Sequence, residues 1–297
     1  MLIGIDWGGT KIEGVAMEAD GRELLRLREV TPRHDYFGCI RVIKGMIDRL
    51  ERQTGQTGSI GVGIPGSVEP ISRVGKGASS TWLLGRPVEK DLRDSIQREL
   101  RVENDADCFA ASEAVDGAGV GHNVVFAVIL GSGTGAGIAV GGKAHHGPNN
   151  SGGEWGHNPL PFPDTTEIPG KACYCGRHGC METWVSGRAF EAEYASHTGE
   201  ELNASAIMGK KRGGDRLSGL LWQRYVDRVA RGLATVINTL DPDVLVMGGG
   251  MSNVDELYGD LPPELAKRTF STVFHTPIKR AVHGDSSGVR GAAWLWK

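Results

Sequence analysis

The amino-acid sequence predicts an α/β protein made of two related lobes. Three observations carry that expectation. The chain has 297 residues, too many for one ordinary core and suited to two, since single domains mostly run to about 100–150 residues. Short apolar runs alternate with amphipathic stretches of helical period, the pattern of layered strands and helices. One local design, an apolar strand followed by a glycine-rich turn and a second strand, opens the chain at residues 2–17 and returns at 124–140. Such long-period self-similarity is expected of a duplicated domain.

The first strand, Leu-Ile-Gly-Ile-Asp at 2–6, is turned by Trp7-Gly8-Gly9-Thr10-Lys11 into a strand at 12–17. The glycine turn makes this a hairpin. An amphipathic helix is expected at 36–52, a strand at 59–64 ending in Pro65-Gly66, and a helix at 88–100. A strand ending near Glu103 leads through Asn104-Asp105 into a helix at 106–115, and Asp116-Gly117-Ala118-Gly119 then punctuates the chain. The first lobe is therefore assigned 1–117 and the second 118–287, with a short terminal helix at 288–297, carrying Trp294 and Trp296, returning to the first. In the second lobe the apolar run 124–130 meets the loop Gly131-Ser132-Gly133-Thr134-Gly135-Ala136-Gly137 and a return strand at 138–140. Residues 141–182 are rich in loops and hold a cysteine cluster, so a metal is expected to order them. Leu221, Tyr225, Val229, Leu233, Ile237 and Leu240 recur at helical spacing, ended by Asp241-Pro242 before a strand at 244–247 and Gly248-Gly249-Gly250.

Composition narrows the function. A 39% hydrophobic, 23% charged chain of net charge -3 is globular and offers no basic surface for polyanions. Nucleic acid is not the expected partner. The first residues show neither a basic segment nor a long apolar one, and no window approaches the roughly 20 apolar residues of a membrane span. A cytoplasmic protein without a membrane partner is expected. Glycine is the outlier: 45 residues, about twice the usual share of about 7%.

Those glycines sit where chemistry is expected. Asp6-Trp7-Gly8-Gly9-Thr10 at a hairpin turn lets backbone N–H groups approach a phosphate, with donors from Thr10 and Lys11 and a carboxylate at Asp6 able to hold Mg²⁺ through water. Gly131, Ser132, Gly133, Thr134 and Gly135 form a second donor-rich turn, and Gly249 and Gly250 follow a buried strand where an adenosine could lie on bare backbone. An ordinary turn explains one such loop; it does not explain three. No Gly-x-x-x-x-Gly-Lys-Ser/Thr motif occurs, and the Gly8 turn leads into a strand, so neither a P-loop nor a dinucleotide fingerprint fits. Asn104 and Asp105 suit a helix N-cap. Beside phosphate loops, Asp105 also suits the base that takes a proton from a hydroxyl attacking a γ-phosphate, with Asp107 in reserve.

Cys173-Tyr174-Cys175-Gly176-Arg177-His178-Gly179-Cys180 is the most specific signal. Three thiolates need a fourth tetrahedral ligand to close a structural zinc site; His157 is the upstream candidate and His178 the competitor. Glu154 and His157 bracket one turn and Glu182 follows Cys180 by two residues, so a metal here would gather a clamp for sugar hydroxyls. Cys39 and Cys108, alone in apolar helical settings, read as core residues.

At these residues the chain resembles the ROK family of sugar kinases and repressors over its whole length, and is most similar to bacterial fructokinases of the mannokinase type. The carriers are Asp6 to Lys11, Gly63-Ile64-Pro65-Gly66, Glu103-Asn104-Asp105-Ala106, the loop at 131–137, Glu154-Trp155-Gly156-His157-Asn158-Pro159, the Cys-x-Cys-Gly-x2-Gly-Cys-x-Glu run at 173–182, and the tail His283-Gly284-Asp285-Ser286-Ser287-Gly288. The resemblance implies a duplicated actin-like ATPase (ribonuclease H-like) fold with an ATP and sugar cleft between its lobes. It implies zinc at His157, Cys173, Cys175 and Cys180, a base at Asp105, and sugar contacts from Gly66, Asn104, Asp105, Glu154, His157 and Glu182. It further implies Mg-ATP and a homodimer. Trp7 stands where the family usually has an aliphatic residue, and Ser79, in Gly77 to Trp82, stands where relatives commonly carry asparagine.

The expected activity is ATP-dependent phosphorylation of a neutral hexose, fructose first, with mannose or glucose behind it. Glucokinase and N-acetylglucosamine kinase are the alternatives within kinases. A sugar-responsive transcriptional repressor is the alternative of another class; the phosphate hairpin at residue 1 and the negative charge argue against its helix-turn-helix.

Overall fold

The structure is a computed structural model of the chain and describes every residue except Ala78, Ser79, Thr272, Asp285 and Ser286. It divides into two compact units. The first comprises Met1–Asn123, Gly137–Gly153 and Val282–Lys297, and the second Val124–Ala136 and Glu154–Ala281.

The first unit opens with β1 (Leu2–Trp7), β2 (Lys11–Met17) and β3 (Glu23–Val30), followed by α1 (Tyr36–Thr54), β4 (Ser59–Ile64), and the short pair β5 (Ser67–Val68) and β6 (Gly75–Lys76). Then come α2 (Val88–Ile96), β7 (Leu100–Asn104) and α3 (Asp105–Asp116). Five of the strands form one sheet in the order β3-β2-β1-β4-β7, and β5 and β6 pair apart from it. β1 and β2 are the expected hairpin, antiparallel with Asp6 opposite Glu13 and Trp7 opposite Ile12, while β4 and β7 add in parallel. Alternation along β1 sorts its side chains. Ile3, Ile5 and Trp7 join the core with Ile43, Met46 and Leu50 of α1, leaving Gly4 and Asp6 on the opposite side. The expected helix at 88–100 is shorter, because Gln97 adopts a left-handed conformation and ends α2 at Ile96 before β7 begins.

The second strand set opens with β8 (Val124–Leu130), β9 (Thr134–Val140) and β10 (Lys143–Ala144), and two later strands complete it after the helices. β9 starts at Thr134, four residues before the expected return strand, so only residues 131–133 remain as a turn. The helices are α4 (Glu182–Val185), α5 (Gly187–Thr198), α6 (Ala204–Arg212), α7 (Arg216–Leu240) and α8 (Glu256–Ala266), with β11 (Val244–Gly248) between α7 and α8, and β12 (Ile278–Arg280) after α8. The order β10-β9-β8-β11-β12 repeats β3-β2-β1-β4-β7 strand for strand, which is the duplication read from the sequence.

The last helix, α9 (Ser287–Trp294), belongs to the first unit. Glycines make its contacts: a Cβ at Gly291 would lie 1.6 Å from the Cys108 carbonyl oxygen of α3, and one at Gly61 in β4 would lie 1.8 Å from the Ala292 carbonyl oxygen. Only bare backbone fits at that spacing. The same unit takes in residues 137–153 beyond the expected boundary near 117. Gly137 lies against α3, where a Cβ would come within 2.1 Å of the Ala106 carbonyl oxygen, and the Asn150 amide donates to the Val68 carbonyl at 2.7 Å. Among the described residues no helix is long and apolar enough to cross a membrane.

Candidate active site

In the first unit Asp6, near the end of β1, and Asp105, at the start of α3, are electrostatic neighbours. Asn104 fixes the second of them. Its side-chain oxygen accepts from the N–H groups of Ala106 (2.8 Å) and Asp107 (3.2 Å), the N-cap of α3, while its amide donates to the Gly66 carbonyl at 2.7 Å. The cap expected from an Asn-Asp pair is therefore real, and it is Asn104 that makes it. That leaves Asp105 exposed at the first position of the helix, with one carboxylate oxygen on the Ala106 N–H at 2.9 Å. Asp107, the reserve candidate, is only 3% exposed and is gathered with Glu103 and His146. Exposure favours Asp105 as the group a substrate could reach.

Asp6 shows what this arrangement does electrostatically. Burial, then the charges of Asp105 and Glu13, push its carboxyl up to about 7. Burial and the neighbouring negative charges both resist ionisation of Asp6, and a cation bound there would offset them.

The hairpin turn is built as its glycines imply. Trp7 is fully buried and stacks on Tyr36 with ring centroids 5.9 Å apart, so the departure at this position is absorbed by the core. Lys11, expected as a donor to phosphate, has its Nζ 3.1 Å from Glu13, a buried carboxylate that also takes Arg26 and Arg28. The serine at position 79, expected near the sugar, lies outside the described residues.

In the second unit the site residues converge on the turn at 131–133. The Glu182 carboxylate at the start of α4 accepts from the Thr134 N–H at 3.1 Å, and a Cβ on Gly133 would collide with it at 2.6 Å. The short 3-10 turn Glu154–His157 lies directly on β9: the Trp155 indole donates to the Gly135 carbonyl at 2.9 Å, and a Cβ at Gly156 would stand 2.0 Å from the Thr134 carbonyl oxygen. The Gly187 N–H at the start of α5 donates to the Gly131 carbonyl at 2.7 Å. Gly249 has φ 78° and backs onto Leu130, where a Cβ would come within 2.5 Å of the carbonyl carbon, whereas Gly250 faces open space. Ser132 is exposed at the tip, and the buried Thr134 hydroxyl has no hydrogen-bond partner among the described residues.

One ligand atom from each of His157, Cys173, Cys175 and Cys180 lies within 4.8 Å of the others. Cys173 Sγ is 3.6 Å from His157 Nδ1, and Cys175 Sγ is 3.6 Å from Cys180 Sγ. Tetrahedral zinc with bonds of about 2.0–2.3 Å requires ligand separations of about 3.6–3.8 Å, so the donors fit zinc. His157 fills the fourth place; His178 is not in the group. Gly176 (φ 88°) and Gly179 (φ 74°) make the left-handed bends that wrap the thiols. Without a cation, burial pushes Cys180 up to about 12, and a bound cation would reverse that.

Tyr174 was missed by sequence reasoning. Its hydroxyl is 3.0 Å from His157 Nε2, so both histidine nitrogens are engaged, and Glu182 and Glu154 both act on it electrostatically. Its place between two cysteines was the only signal. Thr31 and Arg33 were also missed: the Thr31 hydroxyl donates to the Gly8 carbonyl at 2.7 Å and Arg33 Nε to the Gly9 carbonyl at 3.1 Å.

A family model described as the ROK family matches residues 2–297. The chain belongs to the ROK family. It is 37% identical over 299 residues to the N-acetyl-D-glucosamine kinase of Pectobacterium carotovorum subsp. carotovorum (strain PC1), covering 99% of this chain and 98% of that relative. The ROK hexokinase from Thermus thermophilus superposes with a TM-score of 0.87 at 28% identity, covering 99% and 97% of the two chains. A ROK family glucokinase from Streptomyces griseus, solved in complex with glucose and AMPPNP, gives 0.80 at 27%, covering 99% and 98%. Full-length likeness of this kind makes the chain an ATP-dependent sugar kinase with the ROK fold expected from the sequence. It does not favour the fructokinase expected first: the relatives at 36–38% identity are N-acetyl-D-glucosamine kinases.

Proposed function

We propose that this ROK kinase transfers the γ-phosphoryl group of ATP to a hydroxyl of N-acetyl-D-glucosamine, with Asp105 as the base. The observation that carries the sugar assignment is the 37% identity, end to end, with an N-acetyl-D-glucosamine kinase. It replaces fructose as the first expectation.

The chemistry follows from what the residues can do. Asp105 is exposed at the start of α3 and held by the Asn104 cap, where it accepts the hydroxyl proton as the sugar oxygen bonds to phosphorus and the bond to the ADP oxygen breaks. Asn104, Gly66, Glu154, His157 and Glu182 orient the sugar. Asp6, Gly8, Gly9 and Thr10, together with residues 131–135 and Gly249-Gly250, receive the nucleotide. Mg²⁺, held through Asp6, supplies charge neutralisation at the phosphates. The Cys173-Cys175-Cys180-His157 group holds a structural zinc, which orders the chain around Glu182 and Tyr174. The homodimer implied by the resemblance and the cytoplasmic location expected from the composition belong to the same reading.

The deciding measurement compares kcat/KM for N-acetylglucosamine, glucose, mannose and fructose in one coupled assay. N-acetylglucosamine is expected to lead by at least about tenfold, since a pocket built to pair an acetamide leaves polar groups unpaired against other sugars. If fructose leads, the sugar assignment falls and the kinase assignment stands.

A further inference from the structure

The turn at 8–10 is held by a strap from the next connection. Thr31 gives its hydroxyl to the Gly8 carbonyl at 2.7 Å and its N–H to the Thr10 carbonyl at 3.1 Å, and Arg33 Nε takes the Gly9 carbonyl at 3.1 Å. All three carbonyls of the turn are thus occupied from one side. A trans peptide is planar and points its C=O and N–H in opposite directions. Pinning the Gly8 and Gly9 carbonyls to the strap therefore aims the N–H groups of Gly9 and Thr10 away from it. Among the described residues neither N–H has a hydrogen-bond partner. Successive amides left open in this way form an anion-binding concavity.

The strap is fixed in turn. The Pro32 carbonyl accepts from the Asp35 N–H at 3.1 Å and from the Cys39 thiol at 3.4 Å, and His34 adopts φ 66° with its ring 5.1 Å from Trp82. The cations around the turn divide unevenly. Lys11, in the turn sequence itself, is paired with Glu13, as are Arg26 and Arg28. Arg33 is exposed, is anchored to Gly9 through Nε, and has no carboxylate partner among the described residues. Its two terminal nitrogens remain for an anion, and a guanidinium fork suits phosphate oxygens.

We infer that Arg33, rather than Lys11, is the cation of the hairpin phosphate loop, contacting a phosphate of the bound nucleotide while the Thr31–Arg33 strap holds the loop amides open. This rests on the kinase reading above and adds a binding residue to it. A charge-assisted contact of this kind sets affinity for the nucleotide and leaves the sugar untouched.

The experiment uses the full-length chain with Arg33→Met, Arg33→Lys and Lys11→Met. Titration calorimetry with Mg-AMPPNP gives affinity without turnover, and initial rates give KM for Mg-ATP and for the sugar. Because Arg33 is exposed, its variants should melt with the parent. Arg33→Met should weaken Mg-AMPPNP and raise the Mg-ATP KM by about tenfold or more, with the sugar KM within twofold and a shallower salt dependence of nucleotide binding. Arg33→Lys should recover part of the loss, and Lys11→Met should cost less than Arg33→Met. Unchanged Mg-AMPPNP affinity in Arg33→Met, or a larger loss in Lys11→Met, overturns the inference. Parent protein that binds Mg-AMPPNP yet phosphorylates no sugar would instead remove the kinase reading, with the calorimetric comparison still deciding Arg33.

Discussion

Asp6 is a place where the fold carries an electrostatic cost. Its carboxyl ordinarily titrates at 3.8, and burial with the nearby charges of Asp105 and Glu13 moves it up to about 7. A raised value means the folded state binds the proton more tightly than the unfolded chain does. Stability from this group is therefore fully present below 3.8 and is lost as pH rises through about 7. Each pH unit between the two values is worth about 1.4 kcal/mol, which sets an upper limit of about 4 kcal/mol for the loss. Asp6→Asn keeps the shape and removes the titration. Asparagine brings its own burial cost of about 1–3 kcal/mol, so the informative quantity is the pH dependence of the difference between variant and parent. Urea unfolding at pH 4, 6 and 8, in buffer free of metal and nucleotide, should show Asp6→Asn gaining about 2–4 kcal/mol on the parent between the lowest and highest pH. The variant should also lose Mg-ATP-dependent turnover, trading activity for stability. A difference that stays constant across the three pH values would refute the reasoning, because it would mean that Asp6 titrates alike in the folded and unfolded chain.

The other predictions concern separate parts of the molecule. Asp105→Asn should lower kcat by about 10²-fold or more with sugar binding retained, as measured by initial rates and sugar titration; near-normal turnover would exclude the base assignment. Cys175→Ser should bring zinc content, measured by metal analysis, toward zero and lower the melting temperature, since a closed thiolate site contributes folding free energy directly; metal-free protein with unaltered activity and melting would contradict it. Glu167 accepts from Arg228 and Arg231 in a buried network, and the burial of its carboxyl is outweighed by those guanidinium hydrogen bonds, which bring it from 4.5 down to about 2. Its contribution is present above 4.5 and is lost as pH falls through about 2, so Glu167→Gln should cost about 3 kcal/mol at pH 7 and flatten the acid limb of the stability curve; an unchanged acid limb would count against it.

Much of the fold was legible because it is written locally. Gly8 and Gly9 between two apolar runs specify a hairpin, and β1 and β2 form it. Val244 onward is a strand after a helix whose apolar residues recur at helical spacing, and α7 ends at Leu240 as Asp241-Pro242 requires. The three-cysteine run pointed to a metal-ligating cluster for the same reason: its three thiols lie within eight residues. Helix α8 escaped because Pro262 and Pro263 sit inside it and proline ordinarily marks an end. Strand β3 escaped because its residues are mostly half-exposed at the sheet edge, so it lacks a clear apolar run.

The site was legible in its residue types and not in their pairings. The sequence alone established the glycine turns, the Asn104-Asp105 pair, the thiolate cluster and the family they mark. Only tertiary structure decided that His157 rather than His178 completes the thiolate group, that Glu182 holds the Thr134 amide, and that Lys11 belongs to Glu13 while Arg33 stands beside Gly9. The physical reason is range. A turn or helix cap is settled by neighbours within a few residues, whereas the partner of a charge is whichever group the packed sheet brings within about 4 Å, and that group can lie anywhere in the chain.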